Sequence, residues 1–370
     1  EERTQVCNKV AICILNYNGS KDTIDCIRSI KKYECCLEFQ ILIYDNNSIS
    51  DDLETLRDAL ACEFFSFFEI NPDSIDDDEL VRASDSSCIL FSGTENLGFA
   101  KANNWLMRFA LNEGFDHVVL LNNDTELVDD SISKLLKAYS DPTVQCDYAT
   151  TDIRFYSDPE KSWNAGGSIF FGTRRYYRET DVLRFQKRGE LFPRVEFITG
   201  CFLLLDRRAI KKLGFLSEDF FFGEEDYEFA LRAKEKGAVG RVLLSTHILH
   251  KVGATASRSS ANRILSRDYV HRLNRVIDMK HYYRPLRWKL WLAITSVYYF
   301  VDSIKRLGLG RKEATAYVGN IVRLGSVLNR VSKDTFERLI TMDRQALVTC
   351  FDDETLDLFA NLPSCPVVDK

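Results

Sequence analysis

No Cys-x-x-Cys pair occurs in this chain of 370 residues, although it holds 11 cysteines. They are scattered at Cys7, Cys13, Cys26, Cys35, Cys36, Cys62, Cys88, Cys146, Cys201, Cys350 and Cys365. An odd count without paired spacing argues against a disulfide framework and against a zinc site. Reduced thiols in a cytosolic setting are expected. The chain opens Glu1-Glu2-Arg3, without an initiator Met, and no signal peptide is read there. A strong charge of one sign is also missing. The formal net charge of -6 is mild and argues against a nucleic-acid binder as the overall class. Finally, no Gly-rich, lysine-containing phosphate loop follows the first apolar run, where Asn16-Tyr17-Asn18-Gly19 stands instead.

What is present is core-forming. With 45% hydrophobic and 12% aromatic residues, the chain can fill one large domain or two ordinary ones. Short apolar runs at Val10–Leu15, Phe39–Tyr44, Cys88–Phe91 and Val118–Leu121 read as strands. Helical patterns at about 21–32, 52–61 and 100–113 separate them. Fully apolar strands alternating with amphipathic helices predict an α/β fold, its parallel sheet covered on both faces. A further buried strand is expected within Phe197–Leu205, and another at Arg241–Leu244, leading to His247 and His250. The acidic, serine-rich stretch 73–87 reads as a surface insertion.

Polar clusters follow three of these strands: Asn16-Tyr17-Asn18, Asp45-Asn46-Asn47-Ser48 and Asn122-Asn123-Asp124. All three fall at the carboxyl edge of the sheet, where open α/β folds bind ligands. A fourth cluster, Glu224-Glu225-Asp226 with Glu228, opens a predicted helix behind Phe220-Phe221-Phe222-Gly223. Acids suit a helix N-terminus. Carboxylates beside bulky rings also suit a general base or a metal site, where burial and neighbouring charge tune proton affinity.

In this order the motifs resemble the inverting glycosyltransferases of family 2, most strongly the rhamnosyltransferase-like members. The resemblance covers roughly residues 8 to 325. It rests on Ile14-Leu15-Asn16-Tyr17-Asn18-Gly19, Tyr44-Asp45-Asn46-Asn47-Ser48, Asn96-Leu97-Gly98-Phe99-Ala100-Lys101-Ala102-Asn103-Asn104 and Leu120-Leu121-Asn122-Asn123-Asp124-Thr125. Thr199-Gly200-Cys201-Phe202-Leu203-Leu204, the Glu225-Asp226 pair through Arg232, and His250-Lys251-Val252-Gly253-Ala254-Thr255 complete it.

The resemblance implies a GT-A type, Rossmann-like fold: a mixed, mostly parallel sheet flanked by helices, with a helical C-terminal region. The expected division is a catalytic domain over 1–257 and a basic, aromatic helical region with an acidic tail over 258–370. It implies sugar transfer, of rhamnose or a similar sugar, from a dTDP- or UDP-sugar donor to a saccharide or lipid-linked acceptor in cell-surface polysaccharide synthesis. Asp124, and with it His250, would bind Mg2+ or Mn2+. Asn16, Tyr17, Asn18, Asp45, Asn96, Gly98, Asn103 and Asn123 would bind the nucleotide sugar. Asp226 would be the catalytic base, with Glu225 orienting the site or meeting the acceptor. The family often carries Asp-x-Asp where this chain has Asn122-Asn123-Asp124, which leaves Asp124 as the main charge. Two alternatives stay open: a scaffold that binds nucleotide sugar without turnover, and a nucleotidyltransferase.

Between Arg258 and Lys312 there are 13 Lys and Arg against three Asp and no Glu. Inside lies the uncharged run Leu290–Val301, too short for a membrane-spanning helix of about 20 residues. Tyr282, Tyr283, Trp288, Trp291, Tyr298 and Tyr299, with Arg284, Arg287, Lys289, Lys305 and Arg306, suit a helix lying on an anionic membrane surface. A helix packed on the catalytic domain or in a homodimer is the equal alternative. The expected location is cytoplasmic, peripheral on the inner face of the plasma membrane.

Overall fold

Every residue of Val10–Asn16 (β1) but one is buried, and its side chains alternate between two cores. A computed structural model describes residues 9–64, 66–73, 83, 86–252 and 261–360. Most of the acidic insertion, the motif residues Gly253, Ala254 and Thr255, and the boundary at 257 lie outside them. The contacts divide the chain into two compact units. The first comprises Glu1–Phe170, Arg174–Leu216 and Phe229–Gly253; the second comprises Phe171–Thr173, Ser217–Glu228 and Ala254–Lys370.

In the first unit β1 is followed by Ser20–Tyr33 (α1), Phe39–Asp45 (β2), Ser50–Glu63 (α2), Phe67–Ile70 (β3), Cys88–Ser92 (β4), Gly98–Asn112 (α3) and His117–Asn122 (β5). Ala11 and Cys13 face one core with Leu42, Ile89, Leu120 and the α3 residues Ala102 and Leu106. Ile12 and Ile14 face the other, with Ile41, Leu90, Val119, Ile27 of α1 and Leu56 of α2. A strand buried on both faces cannot alternate polar and apolar residues, which is why these runs are uniformly apolar. Each such side chain contributes about 1.5–3 kcal/mol by leaving water.

Next come Thr125–Leu127 (β6), Ser131–Tyr139 (α4), Tyr148–Phe155 (β7), Asp158–Asn164 (β8), a hairpin of Gly167–Phe170 (β9) and Thr173–Tyr176 (β10), and Glu179–Lys187 (α5). Arg194–Val195 (β11), Phe202–Asp206 (β12), Arg207–Leu213 (α6), Glu225–Glu235 (α7) and Gly240–His250 (β13) follow. The sheet order is β11-β13-β7-β12-β5-β1-β2-β4-β3, with β6 on β13 and β8 on β7. Strands β1, β2, β3, β4 and β5 are mutually parallel, while β12 runs antiparallel between β5 and β7.

Two expected strands have other limits. The run Phe197–Leu205 becomes a strand only at Phe202, because Gly200 lies in a turn where a Cβ would stand 3.0 Å from the Phe99 ring. The strand expected at Arg241–Leu244 extends to His250, with a register shift between Leu243 and His247. Helix α7 ends before Gly237, whose φ of 61° only glycine adopts readily.

The second unit contains Ala261–Tyr282 (α8), Pro285–Leu307 (α9), Arg311–Val327 (α10), Lys333–Thr341 (α11), Arg344–Leu347 (α12) and Asp353–Ala360 (α13). Proline opens α9, where its missing N–H is harmless, and Gly308 closes it at φ 65°. Leu273, Val276, Trp291, Tyr317 and Leu324 are buried in its core. Of the six aromatics expected at a membrane interface, Trp291 and Tyr299 are instead buried here. Among the described residues no helix is long and apolar enough to cross a membrane.

Candidate active site

The parallel register sets Asn16 beside Asp45, and Asp45 beside Ser92, at the carboxyl ends of β1, β2 and β4. Asn16 donates to Asp45 Oδ1 at 2.8 Å, to Ser48 Oγ at 3.1 Å and to Asp52 Oδ2 at 3.1 Å. Ser48 gives its hydroxyl to Asp45 Oδ1 at 2.6 Å and its amide to Asp45 Oδ2 at 2.9 Å. Asp45 is wholly buried, so its charge is stabilised by these donors and not by water. The loops after β1 and β2 are cross-linked as well: Asn18 N donates to Ser48 Oγ, and Ile49 N to Asn18 Oδ1, both at 2.9 Å. Asn18 and Asn47 sit at φ 50° and 63°, the left-handed region that asparagine tolerates best after glycine. Tyr17 is 55% exposed.

A second link joins this edge to β5. Thr23 donates to Asn16 Oδ1 at 2.7 Å, and Asn123 donates to Thr23 Oγ1 at 3.0 Å. The third loop is read by Asn46, which donates to Gly98 O at 3.1 Å and accepts from Leu97 N at 2.7 Å. Asn96 accepts from the amide of Gly98, whose φ is 76°, and buried Asn103 donates to Phe99 O. Thus Asn16, Tyr17, Asn18, Asp45, Asn96 and Asn123 lie at the carboxyl ends of β1, β2, β4 and β5, and Gly98 and Asn103 in the first turns of α3.

Asp124 and His250 meet because β6 and β13 pair antiparallel, His250 opposite Thr125. Their side chains approach to 3.1 Å, from Asp124 Oδ1 to His250 Nε2. That approach lacks the alignment of a hydrogen bond, and Asp124 Oδ1 is a buried acceptor without a donor. Burial opposes charging of the His250 ring. The sulphur of Cys201 and the carboxylate of Asp124 outweigh it and push the imidazole up to about 10. Trp163 packs edge-on against this ring with centroids 4.5 Å apart. Among the described residues no group of three or more His, Cys, Asp and Glu is gathered for a metal. A hard divalent cation fits between this carboxylate and the ring if it displaces the imidazolium proton, and it would take its other ligands from water and phosphate.

Lys251 carries the next contact. Its amine lies 3.1 Å from Asp22, 2.9 Å from Asp25 and 2.8 Å from Glu126, and these carboxylates raise its proton affinity against the effect of burial. Sequence reading passed over Lys251, Asn46, Ser48, Asp52 and Trp163 as site residues. Their partners lie up to 229 positions away, so Lys251, Asn46 and Ser48 stood inside the motifs without a role of their own.

In the second unit the acidic cluster is divided. Glu224 pairs with the Arg275 guanidinium, which also covers the Tyr227 ring at 3.4 Å. Glu225 Oε2 accepts the amides of Gly223 at 2.7 Å and Glu224 at 2.8 Å, capping the helix that it opens. Burial, helped by the charge of Asp226, pushes the Glu225 carboxyl up to about 7. Glu228 accepts from the Tyr282 hydroxyl at 2.6 Å. Asp226 alone of the four acids is half-buried rather than buried. Arg232, expected as a structural ion-pair partner, belongs to the first unit, where it donates to the carbonyl of Leu213.

The comparisons agree with this architecture. A crystal structure of GalNAc-T7 with UDP, GalNAc and Mn2+ aligns with a TM-score of 0.51 at 13% identity, over 97% of this chain and 59% of that one. The chain thus spans about three-fifths of that protein. S. aureus TarS 1–349 aligns with a TM-score of 0.50 at 11% identity, over 92% and 89%. At such identities the likeness is one of fold. No curated protein matches the sequence significantly. The family model "Glycosyl transferase family 2" matches residues 11–214, and "Glycosyl transferase family group 2" matches residues 117–329. With more than half of its length inside the first of these, the chain belongs to glycosyltransferase family 2.

Proposed function

We propose that this glycosyltransferase moves rhamnose or a similar sugar, with inversion, from a dTDP- or UDP-sugar to a hydroxyl of a saccharide or lipid-linked acceptor. The pairing of Asp124 with His250 carries the reading, since it offers a divalent cation two protein ligands. A bound Mg2+ or Mn2+ supplies charge against the departing diphosphate. The similar GalNAc-T7 structure contains UDP and Mn2+.

The chain's own residues do the rest. Exposed Tyr17 offers a ring face to the nucleobase, and the loops carrying Asn18, Asn96 and Gly98 surround the ribose. Asp45 and Asn16 support donor binding by fixing those loops. The base is assigned to Asp226. An acceptor hydroxyl loses its proton as it attacks the anomeric carbon from the face opposite the leaving group, and one carboxylate within reach suffices. Asp226 is the one half-buried member of the cluster, beside the buried Glu224, Glu225 and Glu228, which supports that choice.

Release of nucleoside diphosphate from donor, acceptor and Mn2+ tests the reading. A chain that binds donor but releases nothing with any acceptor is a scaffold.

A further inference from the structure

Helix α9 exposes six large apolar side chains: Leu286 (84%), Leu290 (61%), Ile294 (50%), Val297 (65%), Tyr298 (59%) and Val301 (40%). Their spacing of three and four residues places them on one face. The opposite face, with Trp291, Thr295, Tyr299 and Ser303, is buried. A contiguous apolar stripe of this kind marks an interaction surface. Its borders are cationic. Arg287 and Lys289 stand exposed near one end and Lys305 near the other, and no Asp or Glu occurs from Arg284 to Val301. None of these three cations has a carboxylate partner among the described residues; Arg287 lies over the Tyr283 ring.

Two occupants answer to an apolar stripe with basic ends. A second copy of the chain, paired by a two-fold axis along the stripe, repeats each residue on the facing side. Antiparallel pairing sets Lys305 against Arg287 and Lys289, and parallel pairing sets each cation against itself. Both bring like charges together, and the single acid of α9, Asp302, is already paired with Arg272 and Arg306. An anionic bilayer complements the pattern at both ends. Insertion across the bilayer is ruled out by length: the uncharged run Leu290–Val301 spans about 18 Å as helix, against a hydrocarbon core of about 30 Å. The helix therefore lies in the interface, its long cations reaching the headgroups.

We propose that α9 docks this chain onto an anionic membrane surface, with Leu290, Ile294 and Val297 directed into the acyl boundary. The inference is independent of the chemistry assigned above. Flotation of the full chain with vesicles tests it, using phosphatidylcholine alone and phosphatidylcholine with phosphatidylglycerol. Binding is expected only with the anionic lipid. Neutralising the cations by Arg287→Gln, Lys289→Gln and Lys305→Gln should lower partitioning by about a hundredfold. Leu290→Ser with Val297→Ser should lower it comparably, and far-UV circular dichroism verifies that each variant is folded. Absence of flotation, equal binding to both vesicle types, or binding unchanged in either variant overturns the proposal. Self-association in sedimentation that the serine variant abolishes, without flotation, assigns the stripe to a second copy and also overturns it.

Discussion

The backbone amide of Lys251 donates to the carbonyl of Asp124 at 2.8 Å, so the residue after His250 is tied to the same turn whose side chain His250 approaches. The β6–β13 ladder sets the spacing of the two proposed metal ligands before any metal arrives. Asp124→Asn or His250→Ala should each reduce the thermal upshift caused by Mn2+ with nucleoside diphosphate; because His250 is buried against Trp163, its variant also lowers the melting temperature of the apo chain, and each upshift is read from its own apo baseline. A ligand at 100 times its Kd adds about 2.7 kcal/mol, so even partial loss of affinity is readable. An undiminished upshift in both variants would remove the pair from the metal site.

Asp226→Asn should lower nucleoside diphosphate release by about 10²–10⁴-fold, the range for a positioned general base. Donor binding, followed by thermal shift, should persist. Retained turnover would move the base elsewhere.

Glu225 gives a pH signature. Its carboxyl titrates near 7 in the folded chain and near 4.5 when unfolded. Between those values the folded state holds the extra proton, so the contribution of Glu225 to stability is greatest below 4.5, falls as pH rises to 7 and then levels. The fall is about 3 kcal/mol. Glu225→Gln should flatten that slope in denaturant unfolding measured across the window. A slope equal to that of the unaltered chain contradicts the assignment.

Lys251→Met leaves Asp22, Asp25 and Glu126 without their shared cation. Those carboxylates are partly hydrated, at 24–34% side-chain exposure, so the loss should be modest, about 1–2 kcal/mol at neutral pH. It should shrink in acid as the carboxylates protonate. A loss that persists unchanged at low pH would point to packing rather than charge.

Gly223→Ala should destabilise the second unit by about 1–3 kcal/mol, because φ is 92° and a Cβ would stand 2.6 Å from the His271 ring. Urea unfolding measures it, and an unchanged midpoint would count against the strained turn.

The central strands were legible because burial on both faces leaves one readable signal, uninterrupted apolarity, in Val10–Asn16 and Phe39–Asp45. Strand β7 was not, since Thr150, Thr151 and Asp152 are polar yet buried. Their hydrogen bonds hide the strand from any hydropathy reading. The loop residues Asn16, Asp45 and Asp124 stood out by type and position at strand ends. What each one touches did not. Asp52 meets Asn16 across 36 positions, and Arg275 meets Glu224 across 51, pairings that only the folded chain specifies.

The loops after β1 and β2 exchange donors and acceptors with each other. The amides of Asn18, Ser20 and Ile49 each end on a side chain of the opposite loop, at Ser48, Asp52 and Asn18. Neither loop can lift away without stripping the other of partners. In hydrogen exchange these amides should therefore behave as a single opening unit, with one protection factor shared across residues far apart in sequence.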